Sequence, residues 1–287
     1  MEWLFIIIGV LVFLLLTCLL LAVPLVRRHS LNEVHSPSEF DLAYEEVAFT
    51  TEDNIPLCGY WIACQDSDRA VIILHGFSGS LDPDMRYVPH LHKAGFNVLM
   101  FDFRAHGRSG GRVTSLGALE TRDVRAAVKW VLDKGRDRVG LLGFSMGGRA
   151  ALLAAPSIPG VNAILSDGAP PRLVNSVTQN LVLRNRSHAF SWLLARMMLL
   201  GASILTTTNL FRTDPLFAAK HLTAIPVLFF HGEKDRYATM PEMRRMVEDA
   251  GPRAQLWSVP EARHRDIEKT RPEEYLQKMI SFFSENL

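Results

Sequence analysis

Hydrophobic positions along this chain fall into three regimes. From Trp3 to Val26 they are continuous, with no charged side chain and only Gly9, Thr17 and Pro24 as interruptions. As a helix rising 1.5 Å per residue, this stretch extends about 36 Å, enough to cross a hydrocarbon core of about 30 Å. From residue 44 onward, short apolar runs alternate with longer stretches of mixed polarity. Residues 70–74, 138–142, 161–166 and 226–230 read as strands of a parallel sheet covered on both faces, and residues 254–259 alternate like a half-buried strand. Residues 115–133 bring Leu116, Leu119, Val124, Val128 and Val131 to one helical face, with Glu120, Arg122, Asp123 and Arg125 elsewhere, as a helix packed on a sheet would. Between Asp167 and His221 the alternation stops. There residues 190–205 form an apolar run that carries Arg196 and is too short for a second membrane span. It fits a helix roofing an acyl pocket, with Trp192, Met197 and Met198 as adaptable walls.

This pattern predicts an α/β protein: one mostly parallel central sheet flanked by helices, with a small helical lid and one preceding transmembrane helix. The divisions expected are an anchor over 1–30, a polar linker containing Pro37 over 31–43, and a catalytic domain over 44–287 with its lid at about 168–222. The run at the start is an anchor rather than a cleaved signal, because Met1 and Glu2 offer no basic n-region and no small-residue cleavage site follows. Arg27 and Arg28 flank its end, and the positive-inside tendency puts the domain on the cytoplasmic side.

Composition narrows the chemistry. A net charge of +1 over 287 residues leaves no basic excess for nucleic acid. Residues 107–111 lack the lysine and spacing of a phosphate-binding loop. The three cysteines form no C-x-x-C pattern, so no metal and no cofactor is expected. Cys58 and Cys64 lie about 20 Å apart on an extended strand, beyond the roughly 7 Å that a disulfide spans. Free thiols favour a reducing compartment.

The candidate chemistry centres on Gly143-Phe144-Ser145-Met146-Gly147, a G-x-S-x-G sequence between a strand-like run and a small-residue helical run. A serine hydroxyl becomes a useful nucleophile when it is exposed, fixed and served by a base, and a sharp strand-to-helix turn provides the first two conditions. An acid and a histidine are expected after later strands. The strand at 226–230 opens into His231-Gly232-Glu233-Lys234-Asp235, and that at 254–259 leads to His264. The expected set is Ser145 as nucleophile, His264 as general base and acid, and Asp235 as the group orienting the imidazole. Asp167 and Glu233 compete for the role of acid. The strand at 70–74 ends in His75-Gly76-Phe77, so the backbone N–H groups of Phe77 and Met146 are the expected oxyanion donors.

With these motifs the chain, from about residue 44 to the end, resembles the α/β-hydrolase superfamily. Residues 101–111 are similar to its D-x-R-G-x-G-x-S segment, with Ala105 where many relatives have glycine. The resemblance implies that Asp102 and Arg104 tie down loops near the site. The layout is similar to the serine-aminopeptidase-like and esterase-like branch, several of whose members carry an N-terminal membrane anchor. It implies a serine hydrolase acting on a small-molecule or lipid acyl substrate: an ester, thioester or amide. Peptidase or acyltransferase activity is the alternative within the fold, and an inactive anchored binding protein the alternative outside enzymes.

Overall fold

The apolar runs pair into one eight-stranded sheet in a computed structural model that describes residues 2–29, 36–77, 79–184 and 187–287. Its strands are β1 (Glu45–Thr50), β2 (Pro56–Ile62), β3 (Arg69–Leu74), β4 (Asn97–Phe101), β5 (Arg138–Phe144), β6 (Val161–Asp167), β7 (Val227–Gly232) and β8 (Ala254–Val259). They lie in the order β1-β2-β4-β3-β5-β6-β7-β8. The β1–β2 and β2–β4 pairs are antiparallel and all the others parallel. Parallel strands with helices on both faces have no wet side. Every residue of β4 and β7 is accordingly buried, whereas the edge strand β8 buries only Val259.

Alternate residues of β3 point to opposite cores. Ile72 and Leu74 pack with α3 (Glu120–Asp133), α4 (Met146–Ala154) and α8 (Met240–Ala250), while Val71 and Ile73 pack with α2 (Val88–Lys93), α9 (Ile267–Thr270) and α10 (Pro272–Asn286). The helix expected from residue 115 begins instead at Glu120, and both Glu120 and Asp123, expected away from the core face, are fully buried. Residues 114–117 loop around the Glu120 carboxylate. It accepts hydrogen bonds from the Thr114 hydroxyl (2.7 Å), the Ser115 N–H (2.9 Å) and hydroxyl (2.7 Å), and the Gly117 N–H (2.8 Å). Burial alone disfavours this carboxylate, but those bonds outweigh it and hold its pKa below the usual range.

Between β6 and β7 the chain inserts α5 (Leu173–Val182), α6 (His188–Leu205) and α7 (Pro215–Ala218). A third apolar cluster joins α5 and α6 to the end of α1 (Glu2–Val26) through Ala22, Val26, Leu173, Val177, Ala195 and Leu199. Residues 2–16 of α1 are exposed, whereas Cys18, Ala22 and Val26 are buried. The helices cross so closely that a Cβ at Gly201 would fall on the Cys18 carbonyl, which requires glycine there.

Past α1 the chain stays on the domain. The His29 N–H donates to Ala105 O (2.8 Å), and the Gly107 N–H donates to His29 O (3.1 Å). The Arg28 guanidinium reaches Gly107 O (2.8 Å) and Gly111 O (3.1 Å). The division expected at residue 30 therefore follows a packed junction and not a free tether. Of the linker expected over 31–43, residues 31–35 lie outside the described residues, and Pro37–Phe40 form one 3-10 turn.

Candidate active site

β3, β5, β6, β7 and β8 all end at the same edge of the sheet, and each end delivers a piece of the site. Neighbouring strands β3 and β5 also flank the point where chain order reverses, where open α/β sheets place their crevices. At the end of β5, Ser145 has φ 50° and ψ −107°, a conformation that few residues with a side chain adopt. The surroundings hold it there. Its N–H donates to Asp167 O (2.8 Å), and its carbonyl accepts the Arg149 N–H (3.0 Å) in the first turn of α4. The flanking glycines are steric necessities: a Cβ at Gly143 would lie 2.6 Å from Gly148 Cα, and one at Gly147 would fall on Leu74 O.

The structure brings Ser145, His264 and Asp235 into one hydrogen-bonded line. His264 Nε2 is 3.1 Å from Ser145 Oγ, and His264 Nδ1 is 2.7 Å from Asp235 Oδ2. The second Asp235 oxygen accepts the Tyr237 N–H (2.8 Å). The Asp235 carboxylate is buried while the His264 side chain remains 24% exposed, so the imidazole keeps access to the cleft. The Tyr237 ring stands edge-on to it at 4.8 Å.

The competing acids are engaged elsewhere. Asp167 Oδ2 accepts the Tyr275 hydroxyl (2.9 Å) and lies 3.8 Å from Arg265, which also pairs with Asp84 at 2.8 Å. Complete burial pushes the Asp167 carboxyl pKa up. Glu233 accepts the Ser258 hydroxyl (2.9 Å).

The loop after β3 lies against the elbow, since a Cβ at Gly76 would sit 3.6 Å from that of Ser145. His75 fixes this loop. Its Nε2 accepts the Phe103 N–H (2.9 Å), which leaves Nδ1–H to donate to Gly76 O (2.7 Å), and burial lowers its pKa. Phe77 and Met146, the expected oxyanion donors, both line the cleft beside Ser145 and His264. Asp102 accepts the N–H groups of Leu81 (2.9 Å) and Arg108 (2.9 Å), and Arg104 bonds Asp53 (2.7 and 2.9 Å) and Asp123 (2.8 Å). Both are loop ties, as the resemblance implied.

Above Ser145 opens a cleft of about 440 Å³ with walls from α5 (Leu173, Val177, Leu181), α6 (Met198) and the end of α1 (Pro24, Leu25). This volume falls in the usual range of about 300–1,000 Å³ for small-molecule sites. Of the three lid residues expected as walls, only Met198 lines it among the described residues. Trp192 is 43% exposed, with the Arg196 guanidinium 4.7 Å from its ring, because the side of α6 packed on α1 and α5 carries Ala195, Leu199 and Ala202 instead.

Sequence reasoning missed Pro24, Leu25, Tyr237 and Arg149. A lone arginine opening the small-residue run 149–155 was the available signal for the last. Arg149 is buried, donating to Leu116 O (2.9 Å) and Thr213 O (3.0 Å) and lying 3.7 Å from Asp214, so it ties the lid's return to the elbow helix. Among the described residues, no group of three or more histidine, cysteine or acidic side chains is placed to hold a metal ion.

Residues 69–210 match the family model described as alpha/beta hydrolase fold. The chain is 29% identical over 238 residues to the uncharacterized protein YqkD of Bacillus subtilis (strain 168), covering 80% of this chain and 75% of that one. It is 22% identical over 268 residues to Protein bem46 of Schizosaccharomyces pombe, covering 90% and 82%. Its structure is similar to that of the Pyrococcus furiosus esterase Pf2001, with a TM-score of 0.77 at 28% identity over 91% of this chain and 97% of that one. An esterase from Exiguobacterium antarcticum, at 17% identity and a TM-score of 0.64, shares the fold. Sheet order, strand-end loops and these likenesses agree, and the chain has the α/β-hydrolase fold.

Proposed function

We propose that this chain is a membrane-anchored serine hydrolase that cleaves carboxylic esters, with thioesters and amides as chemical relatives, through an acyl-enzyme on Ser145. The observation that carries the reading is the line from Ser145 Oγ through His264 to Asp235, at 3.1 and 2.7 Å, set on a backbone turn with positive φ.

His264 Nε2 takes the hydroxyl proton as Ser145 Oγ bonds to the substrate carbonyl carbon. The carbonyl π pair moves onto oxygen, where the Phe77 and Met146 N–H groups hold it, each worth about 3–4 kcal/mol of barrier. Collapse of this intermediate breaks the carbon–oxygen bond, and the departing alkoxide takes the proton from His264. Water then adds to the acyl-enzyme with His264 again as base, releasing the acid and restoring Ser145. Asp235 keeps Nδ1 protonated and stabilises the imidazolium. The esterase named among the structural neighbours supports ester substrates as the first class to try.

The anchor reading rests on the 25-residue α1, which holds an 18-residue stretch of mean hydropathy 3.3 and whose first two turns and middle are exposed. Arg27 and Arg28 at its end favour a cytoplasmic domain. A p-nitrophenyl ester series run beside aminopeptidase substrates tests the chemistry. Ester turnover that disappears in Ser145→Ala is expected, while turnover of only the amino-acid amides would move the assignment to a peptidase. Retention of full-length chain in the membrane pellet after alkaline carbonate is expected for the anchor. Release, or a mature chain starting beyond Val26, would replace it with a peripheral or secreted protein.

A further inference from the structure

α1 is too short, where it is free, to cross a bilayer by itself. Its exposed apolar part, residues 3–16, extends about 21 Å, against a hydrocarbon core of about 30 Å. Making up the difference takes about six more residues, which brings the near boundary of the hydrocarbon to the region of Ala22. Cys18 and Ala22 are already packed against α6 at Gly201. A membrane crossed by α1 must therefore also cover the part of α6 beside it.

The outward face of α6 suits that position. Trp192, Leu193, Leu200 and Ile204 are 43–54% exposed, and Leu20 and Val23 of α1 are 73% and 44% exposed. A surface of this kind is unusual on a protein surrounded by water. With a mean hydropathy of 1.4 over 18 residues, α6 is less apolar than α1, at 3.3. Its single arginine, Arg196, rests over Trp192, a pairing in which the aliphatic stem can lie in lipid while the guanidinium reaches the headgroups.

The same two helices wall the cleft, through Leu25 of α1 and Met198 of α6, and Ser145 lies in that cleft. We infer that α6 is embedded in the near leaflet beside α1, and that the site takes bilayer lipids carrying a long-chain acyl ester, which enter from the hydrocarbon layer without passing through water. The inference rests on the hydrolase and anchor readings and adds the substrate class and its route. Extraction through water would expose every methylene of the acyl chain, whereas lateral entry exposes none.

The test uses full-length enzyme in phosphatidylcholine vesicles and the double substitution Leu193→Asp with Leu200→Asp, neither residue lining the cleft. Turnover of a long-chain ester embedded in the vesicles should fall at least tenfold, while a soluble butyrate ester stays within about twofold. Equal loss on both substrates, or loss on neither, overturns the inference. Quenching by brominated lipids supplies a second readout that needs no activity. The emission lost in Trp192→Phe should be quenched in the wild type, and emission from Trp192 that brominated lipid leaves untouched overturns the placement of α6. If wild-type enzyme shows no Ser145-dependent turnover of the butyrate ester, the hydrolase reading fails on its own, and the quenching result still decides where α6 lies.

Discussion

The strand ends beneath the cleft and the helices above it are held by different forces. Below, position is set by backbone: Ser145 is locked by hydrogen bonds to Asp167 and Arg149 and by glycines that no other residue can replace, and the His75 ring ties its loop to Phe103. Above, α5, α6 and the end of α1 meet through apolar side chains, with Arg149 as a polar tie back to the elbow helix. Hydrogen-bonded backbone gives the sub-ångström placement that bond-making demands. Apolar packing is non-directional, which suits walls that must accept flexible chains. Substitutions below should therefore abolish turnover, and substitutions above should change what is turned over.

The largest effect sharpens the lower half. Asp235→Asn is expected to reduce kcat by about 10⁴, because an amide favours the wrong histidine tautomer. Asp167→Asn, at a carboxyl held by Tyr275 and Arg265, should affect thermal stability more than kcat. A large kcat loss in Asp167→Asn alone, measured by ester turnover, would transfer the role of acid to it. Next comes the elbow itself. Gly147→Ala drives a Cβ into Leu74 O, a backbone atom, and should cost about 3 kcal/mol, the upper end for overpacking. That would lower Tm by roughly 6–12 °C in a domain of this size, as scanning calorimetry would show.

The upper half should respond more gently. Val177→Phe narrows the cleft from α5, and is expected to lower kcat/KM for long-chain p-nitrophenyl esters about tenfold while acetate stays within about twofold. Equal losses across the series would mean that the cleft does not hold the acyl chain.

The smallest effect lies at the junction between α1 and the site, where the His29 ring stacks on His106 at 5.0 Å and meets the edge of Phe77 at 4.4 Å. Burial, followed by the neighbouring imidazole (His106 for His29, His75 for His106), lowers both to about 4. In the unfolded chain they take up protons near 6.5. The unfolded state thus binds more protons as pH falls, so stability is full above about 6.5 and declines towards about 4. Tm measured from pH 7 to 4 should show that decline, and His29→Phe, which keeps a ring but carries no proton, should make it shallower.

How much the sequence disclosed follows the same division. The elbow, the two side chains in line with it and the mostly parallel sheet could be read because each depends on a local signal: an apolar run, then a glycine turn, then a reactive group. The roof gave no such signal. α1 is apolar on every side, so its pattern could not reveal that Cys18, Ala22 and Val26 face the domain. Trp192 and Met198 look equivalent as large apolar residues, and only the packing of α6 on α1 and α5 turns one outward and the other into the cleft. Glu120 reads as a solvated charge until residues 114–117 are seen to wrap its carboxylate. In each case the deciding partner lies on another element or in an irregular loop, where periodicity carries no information.

Covalent labelling asks whether Ser145 carries the acyl group. Full-length protein treated with a fluorophosphonate and analysed by intact mass and peptide mapping should gain one adduct, on the peptide containing Ser145, with none in Ser145→Ala. Labelling that persists in Ser145→Ala, or a folded wild type that takes up no label, would contradict the account.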